Sequence, residues 1–331
     1  MSAAPEPATT PAPGGPPPAQ PGGGPRVPLS RMRVGVGLLL AVITVLVILL
    51  DALVGSRDSF RASAPGAGIL LALLSAAALR EFYDLLRTAG IESHAGYGAL
   101  ASLVLLALRA NLPILGVRPS DAAAFGEVGL LLAILLPAAA AVGFRGSAGS
   151  GEDEDGATPG ALRPFAGTAL GLLAVHLPLS LLLELRLTTG VAGMSGSIPA
   201  GLVLGAMTAL SCKAGDSAAY FVGRTVGKRP LCWVSPKKTW EGAVAGALAG
   251  PAAAAILGWC FGLPLHLGLS FGLVVNLAGQ GGDLLESWLK RCCGVKDSGR
   301  TFGELGGALD LLDALLLAGP AGYLFHQVVL S

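Results

Sequence analysis

The sequence has few charged and few aromatic residues. Only 13% of its 331 residues are Asp, Glu, Lys or Arg, compared with roughly 25% in an average soluble domain. Aromatic side chains make up 5% and the formal net charge is +1, which excludes the strongly basic surface that binding to nucleic acid requires. Together with a hydrophobic share of 53%, the shortage of charge predicts an integral membrane protein.

Cysteine is scarce as well. The chain has five cysteines and no C-x-x-C pair, and an odd number gives no self-contained disulfide framework. Cys292 and Cys293 are adjacent, but no His or further Cys lies near them, so their spacing is wrong for zinc. We interpret the cysteines as packing residues.

Long apolar segments recur along the chain and predict an all-α, polytopic bundle of about nine transmembrane helices. Residues 1–29 are rich in Pro, Gly and Ala and predict a disordered tail, because they cannot bury enough apolar surface to fold. Residues 30–200 form an N-terminal set of spans, and residues 201–331 form a C-terminal membrane region. The predicted spans are 34–50, 64–79, 96–115, 128–144, 165–183, 198–222, 242–262, 265–282 and 307–329.

Lys and Arg are distributed unequally between the connections. If the N-terminus is cytoplasmic, most of the 22 basic residues fall on that side. Arg109 and Arg186 are among the few on the other side. We therefore predict a multi-pass protein of the cell inner (plasma) membrane whose N-terminus and polar loops face the cytoplasm. Small residues in 245–255 suit either a homodimer or packing within one chain.

Polar residues concentrate in two segments of residues 201–331. In the first, Lys213, Asp216 and Tyr220 would share one face of a helix. A charge inside a membrane is costly, so these residues are either paired with one another or placed to meet a substrate or ion. The string Ser-Pro-Lys-Lys-Thr-Trp-Glu-Gly follows at 235–242. Its lysines can bind phosphate, although the basic bias of cytoplasmic loops also explains their charge.

The second segment is rich in carboxylates. Asp283, Glu286, Ser287 and Lys290 would form one polar helical stripe, and Asp310 and Asp313 lie three residues apart on another. Carboxylates from two such helices can converge on Mg²⁺, which prefers oxygen ligands and binds one or two carboxylates together with substrate phosphates.

Together, the two segments resemble the signature of the phosphatidate cytidylyltransferase family. The matching stretches are Asp-Ser-x-Ala-Tyr from Asp216, the string at 235–242, and Gly-Asp-x-x-Glu-Ser-x-x-Lys-Arg-x4-Lys-Asp-Ser-Gly from Gly282. The resemblance covers roughly 216–313, and the N-terminal half is similar to the family only in hydropathy. Where the family has Pro-Gly-His-Gly-Gly-x-x-Asp-Arg-x-Asp, this chain has Leu305 in place of His and Leu311 in place of Arg.

The resemblance implies a nucleotidyltransferase that makes CDP-diacylglycerol and pyrophosphate from CTP and phosphatidic acid with Mg²⁺, for phospholipid biosynthesis. It assigns catalytic roles to Asp283, Asp310, Lys290, Lys296 and Asp297. It assigns the metal to Asp283, Asp310 and Asp313. It assigns substrate binding to Asp216, Ser217, Tyr220, Arg224, Ser235, Lys237, Lys238, Thr239, Glu241, Ser287, Arg291 and Ser298. Helix capping is an open alternative for Asp297 and Ser298.

Three other functions remain open. A related lipid enzyme, such as a CDP-archaeol synthase or a polyprenol kinase, would share the membrane bundle and the use of a nucleotide. A catalytically weakened or repurposed paralogue would account for Leu305 and Leu311. A transporter would account for the charges of Lys213, Asp216 and Asp283 inside the membrane, but not for the string at 235–242.

Overall fold

A computed structural model describes residues 46–47, 51, 64–115, 117, 128–134, 137, 157–191, 194, 198–299, 301–303 and 306–330. The predicted tail at 1–29 lies outside these residues, as do most of the predicted spans 34–50 and 128–144. So does Leu305, one of the two departures from the family pattern.

The described residues are mainly helical, and no β-strand occurs among them. Helices α1 and α2 are Pro65–Thr88 and Ala95–Asn111, the second extended by a 3₁₀ turn, Leu112–Leu115. Helix α3, Ala157–Gly171, continues through a π-helix, Leu172–His176, into α4, Leu177–Leu187. Next come α5, Ala200–Thr225; α6, Trp240–Cys260; and α7, Leu265–Cys292. Helix α8, Ala308–Phe325, ends in a π-helix, His326–Leu330.

Four helical segments in the described part of the chain are long and apolar enough to cross a membrane. They are Ala95–Ile114, Arg163–Leu187, Trp240–Cys260 and Ala308–Leu330. The helical membrane protein that the composition predicts is therefore confirmed, and each segment overlaps a predicted span. Helices α1, α5 and α7 overlap three further predicted spans. The count of nine stays a prediction.

Two arginines that the orientation argument placed in outer connections are buried instead. Arg109 forms an ion pair with Glu184, and Arg186 lies 3.6 Å from a carboxylate oxygen of Asp51. The same carboxylate of Asp51 accepts hydrogen bonds from the backbone N–H groups of Gly66 and Ala67 at the start of α1. These two arginines therefore pair with carboxylates inside the bundle, and the orientation stays a prediction.

Helices α5, α6 and α7 pack closely because glycines lie at their contacts. A Cβ atom added to Gly246 would lie 2.9 Å from the carbonyl oxygen of Gly215, and one added to Gly242 would lie 2.6 Å from that of Ala219. The buried amide of Asn276 donates to the carbonyl oxygen of Ser211 at 2.9 Å, which links α7 to α5. The small residues of α6 thus pack within this chain, one of the two readings that the sequence left open.

Helix α8 packs against both halves of the protein. Leu309 and Leu312, near its start, belong to an apolar core shared with α1, α2, α4 and the π-helix that precedes α4. Ala314 and Ala318, further along, belong to a second core with residues of α5, α6 and α7. The N-terminal helices are therefore in a position to fix where α8 begins.

Candidate active site

A cavity of about 700 Å³ lies between α5, α6, the start of α8 and the second half of α7. It brings together side chains that are far apart in the sequence. Of the residues predicted from the sequence, it is lined by Asp216, Tyr220, Arg224, Lys237, Lys238, Thr239, Asp283, Asp310 and Asp313. Lys213 on α5 also lines the cavity.

The loop between α5 and α6 folds back over the end of α5 and carries the basic side chains to the cavity. Backbone hydrogen bonds join Leu231 to Lys238 at 2.7 Å and Trp240 to Arg229 at 3.0 Å. Thr239 is the N-cap of α6, where its hydroxyl accepts a hydrogen bond from the N–H of Gly242 at 3.2 Å. Residues 237–239 are held beside α5 as a result.

Glycine allows this loop to approach α5. A Cβ atom at Gly223 would lie 2.9 Å from the hydroxyl oxygen of Thr239, and one at Gly227 would overlap the same hydroxyl. A larger residue at either position would push the Thr239 cap away from α5, together with the neighbouring lysines. The two glycines are therefore part of how the site is built.

The acidic wall of the cavity depends on the contact between α7 and α8. At Gly282, a Cβ atom would overlap the carbonyl oxygen of Asp313, so the two helix backbones touch at this point. Asp283, next to Gly282, therefore lines the same cavity as Asp313, together with Asp216 from α5. Three carboxylates from three helices thus face the same space.

Three lysines pair with carboxylates in or beside the cavity, in different surroundings. Lys213 Nζ lies 3.8 Å from Asp216 Oδ2 on the same helix. Lys238 Nζ lies 2.5 Å from Asp283 Oδ2, at the cavity wall. Lys290 Nζ lies 2.6 Å from Glu286 and 2.7 Å from Asp310, and its side chain is only 14% exposed. Asp310 also accepts a hydrogen bond from the N–H of Gly307 at 2.9 Å, which caps α8. Lys290 therefore connects α7 to α8 and does not line the cavity.

The remaining predicted site residues lie away from the cavity lining. Ser217 donates to the carbonyl of Lys213 at 2.7 Å, and Ser298 is buried and donates to Glu81 at 3.4 Å. Glu241 accepts hydrogen bonds from the backbone N–H groups of Lys228 and Arg229. Ser235, Ser287, Arg291, Lys296 and Asp297 do not line it either. Lys296 and Asp297 are exposed, and Asp297 shows no capping contact among the described residues.

The cavity residues that the sequence analysis did not predict include Leu231, Gln280 and Leu284. Gln280 lies three residues before Asp283 and therefore continues the predicted polar stripe of α7 by one turn. Its amide donates to Asn276 at 2.9 Å and to the carbonyl of Ala243 at 3.3 Å, which ties α7 to α6. The stripe could have identified Gln280, whereas the two leucines carry no sequence signal.

The carboxylates at the cavity fit Mg²⁺ as a pair and not as a larger cluster. No group of three or more His, Cys, Asp or Glu side chains is assembled for a metal ion within the described ranges. Mg²⁺ commonly needs only one or two carboxylates, because substrate phosphates and water complete its shell. Asp283 and Asp313 form such a pair, whereas Asp310 is held by Lys290 and Gly307. The residues therefore fit a metal that arrives with a phosphate ligand.

The similarity to known proteins extends beyond the two signature segments. The model of the cytidylyltransferase family matches residues 32–329. A phosphatidate cytidylyltransferase of Brucella suis is 43% identical over 115 residues, which are 34% of this chain and 43% of that protein. One from Synechocystis is 35% identical over 137 residues, 40% of this chain and 46% of that protein. One from Aquifex aeolicus is 41% identical over 112 residues, 33% and 41% of the two chains. The chain thus spans less than half the length of the curated relatives it matches.

Proposed function

Because this chain belongs to the cytidylyltransferase family, we propose that it transfers the cytidylyl group of CTP to phosphatidic acid, giving CDP-diacylglycerol and pyrophosphate for phospholipid biosynthesis. The observation that carries the proposal is the cavity in which Arg224, Lys237 and Lys238 face Asp283 and Asp313. Cations that bind phosphate oxygens, beside carboxylates that suit a divalent metal, are the groups that nucleotidyl transfer requires.

The reaction joins two phosphates. An oxygen of the phosphatidic acid phosphate attacks the α-phosphorus of CTP, and the bond from that phosphorus to the bridging oxygen of the β-phosphate breaks. The electron pair leaves with pyrophosphate. Negative charge builds up on the leaving pyrophosphate, and the side chains of Arg224, Lys237 and Lys238, which line the cavity, would neutralise it. The protein contributes mainly by positioning the reactants and by stabilising charge.

Mg²⁺ is part of this proposal. Asp283 and Asp313 would hold it, with Asp310 as the third predicted ligand, and it would neutralise phosphate charge during transfer. Tyr220 and Thr239 line the same cavity and are candidates for contacts to the nucleotide or the lipid headgroup.

The position of the cavity suits one soluble and one membrane-bound substrate. Exposed aromatic side chains lie at the ends of α5 and α6 nearest to it: Phe221 is 65% exposed and Trp240 is 56% exposed. Aromatic residues are enriched where the bilayer meets water. We propose that this end faces the cytoplasm, where CTP is available, in a multi-pass protein of the inner membrane. A homodimer stays a prediction.

The test is conversion of labelled CTP and phosphatidic acid to CDP-diacylglycerol by the detergent-purified protein, with and without Mg²⁺. We expect Mg²⁺-dependent product, and at least about a hundredfold loss of kcat in Asp283→Asn. Asp84→Asn is the matched control, because Asp84 is an exposed carboxylate that pairs with Arg87 on α1. Thermal unfolding of each variant checks that it is folded.

Two results would count against the proposal. Full activity in Asp283→Asn would reject the metal assignment. No product from the wild type, under conditions in which a related enzyme is active, would indicate a repurposed paralogue. Product from another lipid or nucleotide, in a panel that includes archaeol phosphate and polyprenols, would instead identify a related CTP-dependent lipid enzyme.

A further inference from the structure

A buried carboxylate on α1, outside every motif, contacts the segment that leads into α8. Glu81 is 6% exposed and accepts hydrogen bonds from the hydroxyl groups of Ser298 and Thr301. It also accepts from the backbone N–H of Thr301 at 3.4 Å and from that of Leu309 at 2.9 Å. Its partners are 217 to 228 residues away along the chain.

The segment around Glu81 is shaped to fit this side chain. A Cβ atom at Gly299 would overlap Glu81 Oε1, and a Cβ atom at Gly307 would overlap Glu81 Oε2. Both ends of the segment 298–307 therefore close on one carboxylate. Each carboxylate oxygen receives two of the four hydrogen bonds, so the side chain is held in one orientation.

The charge of Glu81 suits its position. The N–H of Leu309 is one of the first N–H groups of α8, and these groups have no partner within the helix. A negative charge at a helix N-terminus also interacts favourably with the helix dipole. Glu81 thus fixes where α8 begins, and Asp310 and Asp313 lie in the first two turns of that helix.

We propose that Glu81 is a positioning residue: from the N-terminal half of the chain, it holds Ser298, Thr301 and the start of α8 so that Asp310 and Asp313 are presented correctly at the cavity. The inference rests on the proposed function for its catalytic consequence. The contacts of Glu81 with the segment are independent of that function and can be measured separately.

Glu81→Gln tests the charge with little change in size. A carboxylate accepts at both oxygens, but an amide has an oxygen on one side only. The NH₂ group of the introduced amide would face either the N–H of Thr301 or that of Leu309, and neither backbone group can accept a hydrogen bond. We expect kcat per folded enzyme to fall at least about tenfold, with the KM for CTP within about twofold of wild type, because the basic side chains on α5 and its loop are untouched.

Three further variants make the result specific. Asp84→Asn removes an exposed carboxylate from the same helix and should leave both constants unchanged. Glu81→Asp keeps the charge on a shorter side chain and should restore part of the lost kcat. Thr301→Val removes one hydroxyl donor at an exposed position and should lower kcat less than Glu81→Gln does, with no further effect when the two changes are combined.

A second readout does not depend on activity. Limited trypsin digestion after the exposed Lys296, followed by mass spectrometry, reports how firmly the segment is held. We expect cleavage at this site at least about fivefold faster in Glu81→Gln than in wild type or Asp84→Asn.

The outcomes separate the two proposals. If wild type makes no CDP-diacylglycerol, the proposed function fails, and the digestion still decides whether Glu81 holds the segment. If Glu81→Gln lowers only the unfolding temperature, while kcat per folded enzyme stays within about twofold of wild type, Glu81 is merely structural and the inference is overturned. If Glu81→Gln does not fold, the same comparison in Thr301→Val decides: an unchanged kcat overturns the inference, and a lower kcat with an unchanged KM supports it.

Discussion

Two adjacent glycines on α7 give a sharp test of how the acidic wall is built. Gly282 touches the backbone of α8, since a Cβ atom there would overlap the carbonyl oxygen of Asp313 and lie 3.4 Å from the Cα atom of Ala314. At Gly281, a Cβ atom would meet only the end of the Leu317 side chain, at 3.9 Å. Gly282→Ala and Gly281→Ala therefore make the same chemical change, one residue apart, against different neighbours.

The expected changes in the free energy of unfolding follow from two opposing effects. Alanine is favoured over glycine inside a helix by up to about 1 kcal/mol, and this gain applies to both variants. In Gly282→Ala the obstacle is backbone and cannot rotate away, so α7 and α8 must separate by on the order of 1 Å. Such overpacking typically costs about 1–3 kcal/mol. Gly281→Ala should thus be as stable as wild type or more so, and Gly282→Ala less stable than Gly281→Ala by about 1–3 kcal/mol.

Activity should separate the variants further. Movement of α8 carries Asp313 away from Asp283, and a 1 Å displacement of catalytic groups can cost about a hundredfold in rate. The assay is formation of CDP-diacylglycerol per folded enzyme, with thermal unfolding in the same detergent. Wild-type kcat in Gly282→Ala would refute the argument that this contact sets the distance between the two carboxylates. So would an equal loss of activity in Gly281→Ala.

Two further predictions concern single side chains. Lys238→Met removes the cation that pairs with Asp283. The KM for CTP should therefore rise about tenfold, and the Mg²⁺ concentration that gives half the maximal rate should fall. A rise in that Mg²⁺ concentration would show that the argument is wrong. Leu311→Arg restores the residue that the family has at this position. Because Leu311 is 37% exposed and does not line the cavity, kcat should stay within about twofold of wild type, and a larger gain measured in the same assay would show that the guanidinium reaches the substrate.

Sequence patterns located most of the cavity because its residues repeat with the period of a helix. Asp216 and Tyr220 on α5, and Asp283 on α7, point to the same space as their spacing predicts. The string at 235–242 could be recognised from the order of its residues alone. Apolar length identified the four clearest spans, since burial of a helix in lipid depends on composition more than on neighbours.

The partners of these residues could not be predicted, because they depend on which helices pack together. Lys290 lies on the predicted polar stripe, but its ion pair with Asp310 on α8 directs it to the contact between α7 and α8. Ser298 belongs to a recognised motif, but its hydroxyl binds Glu81, 217 residues earlier in the chain. Periodicity indicates which face of a helix is polar, and only the packing of the bundle decides what that face meets.

Two of the lysine pairs indicate how the site can change when substrate binds. Lys290 is enclosed by Glu286 and Asp310 and is only 14% exposed, so separating it would leave the buried Glu286 without a cation. Lys238 is 31% exposed, has one carboxylate partner and lines the cavity. A triphosphate that enters can therefore take Lys238 from Asp283 at little cost, which leaves Asp283 free for a cation that arrives with the nucleotide. On this argument Lys290 is a fixed connection between helices, and Lys238 is the group that exchanges partners.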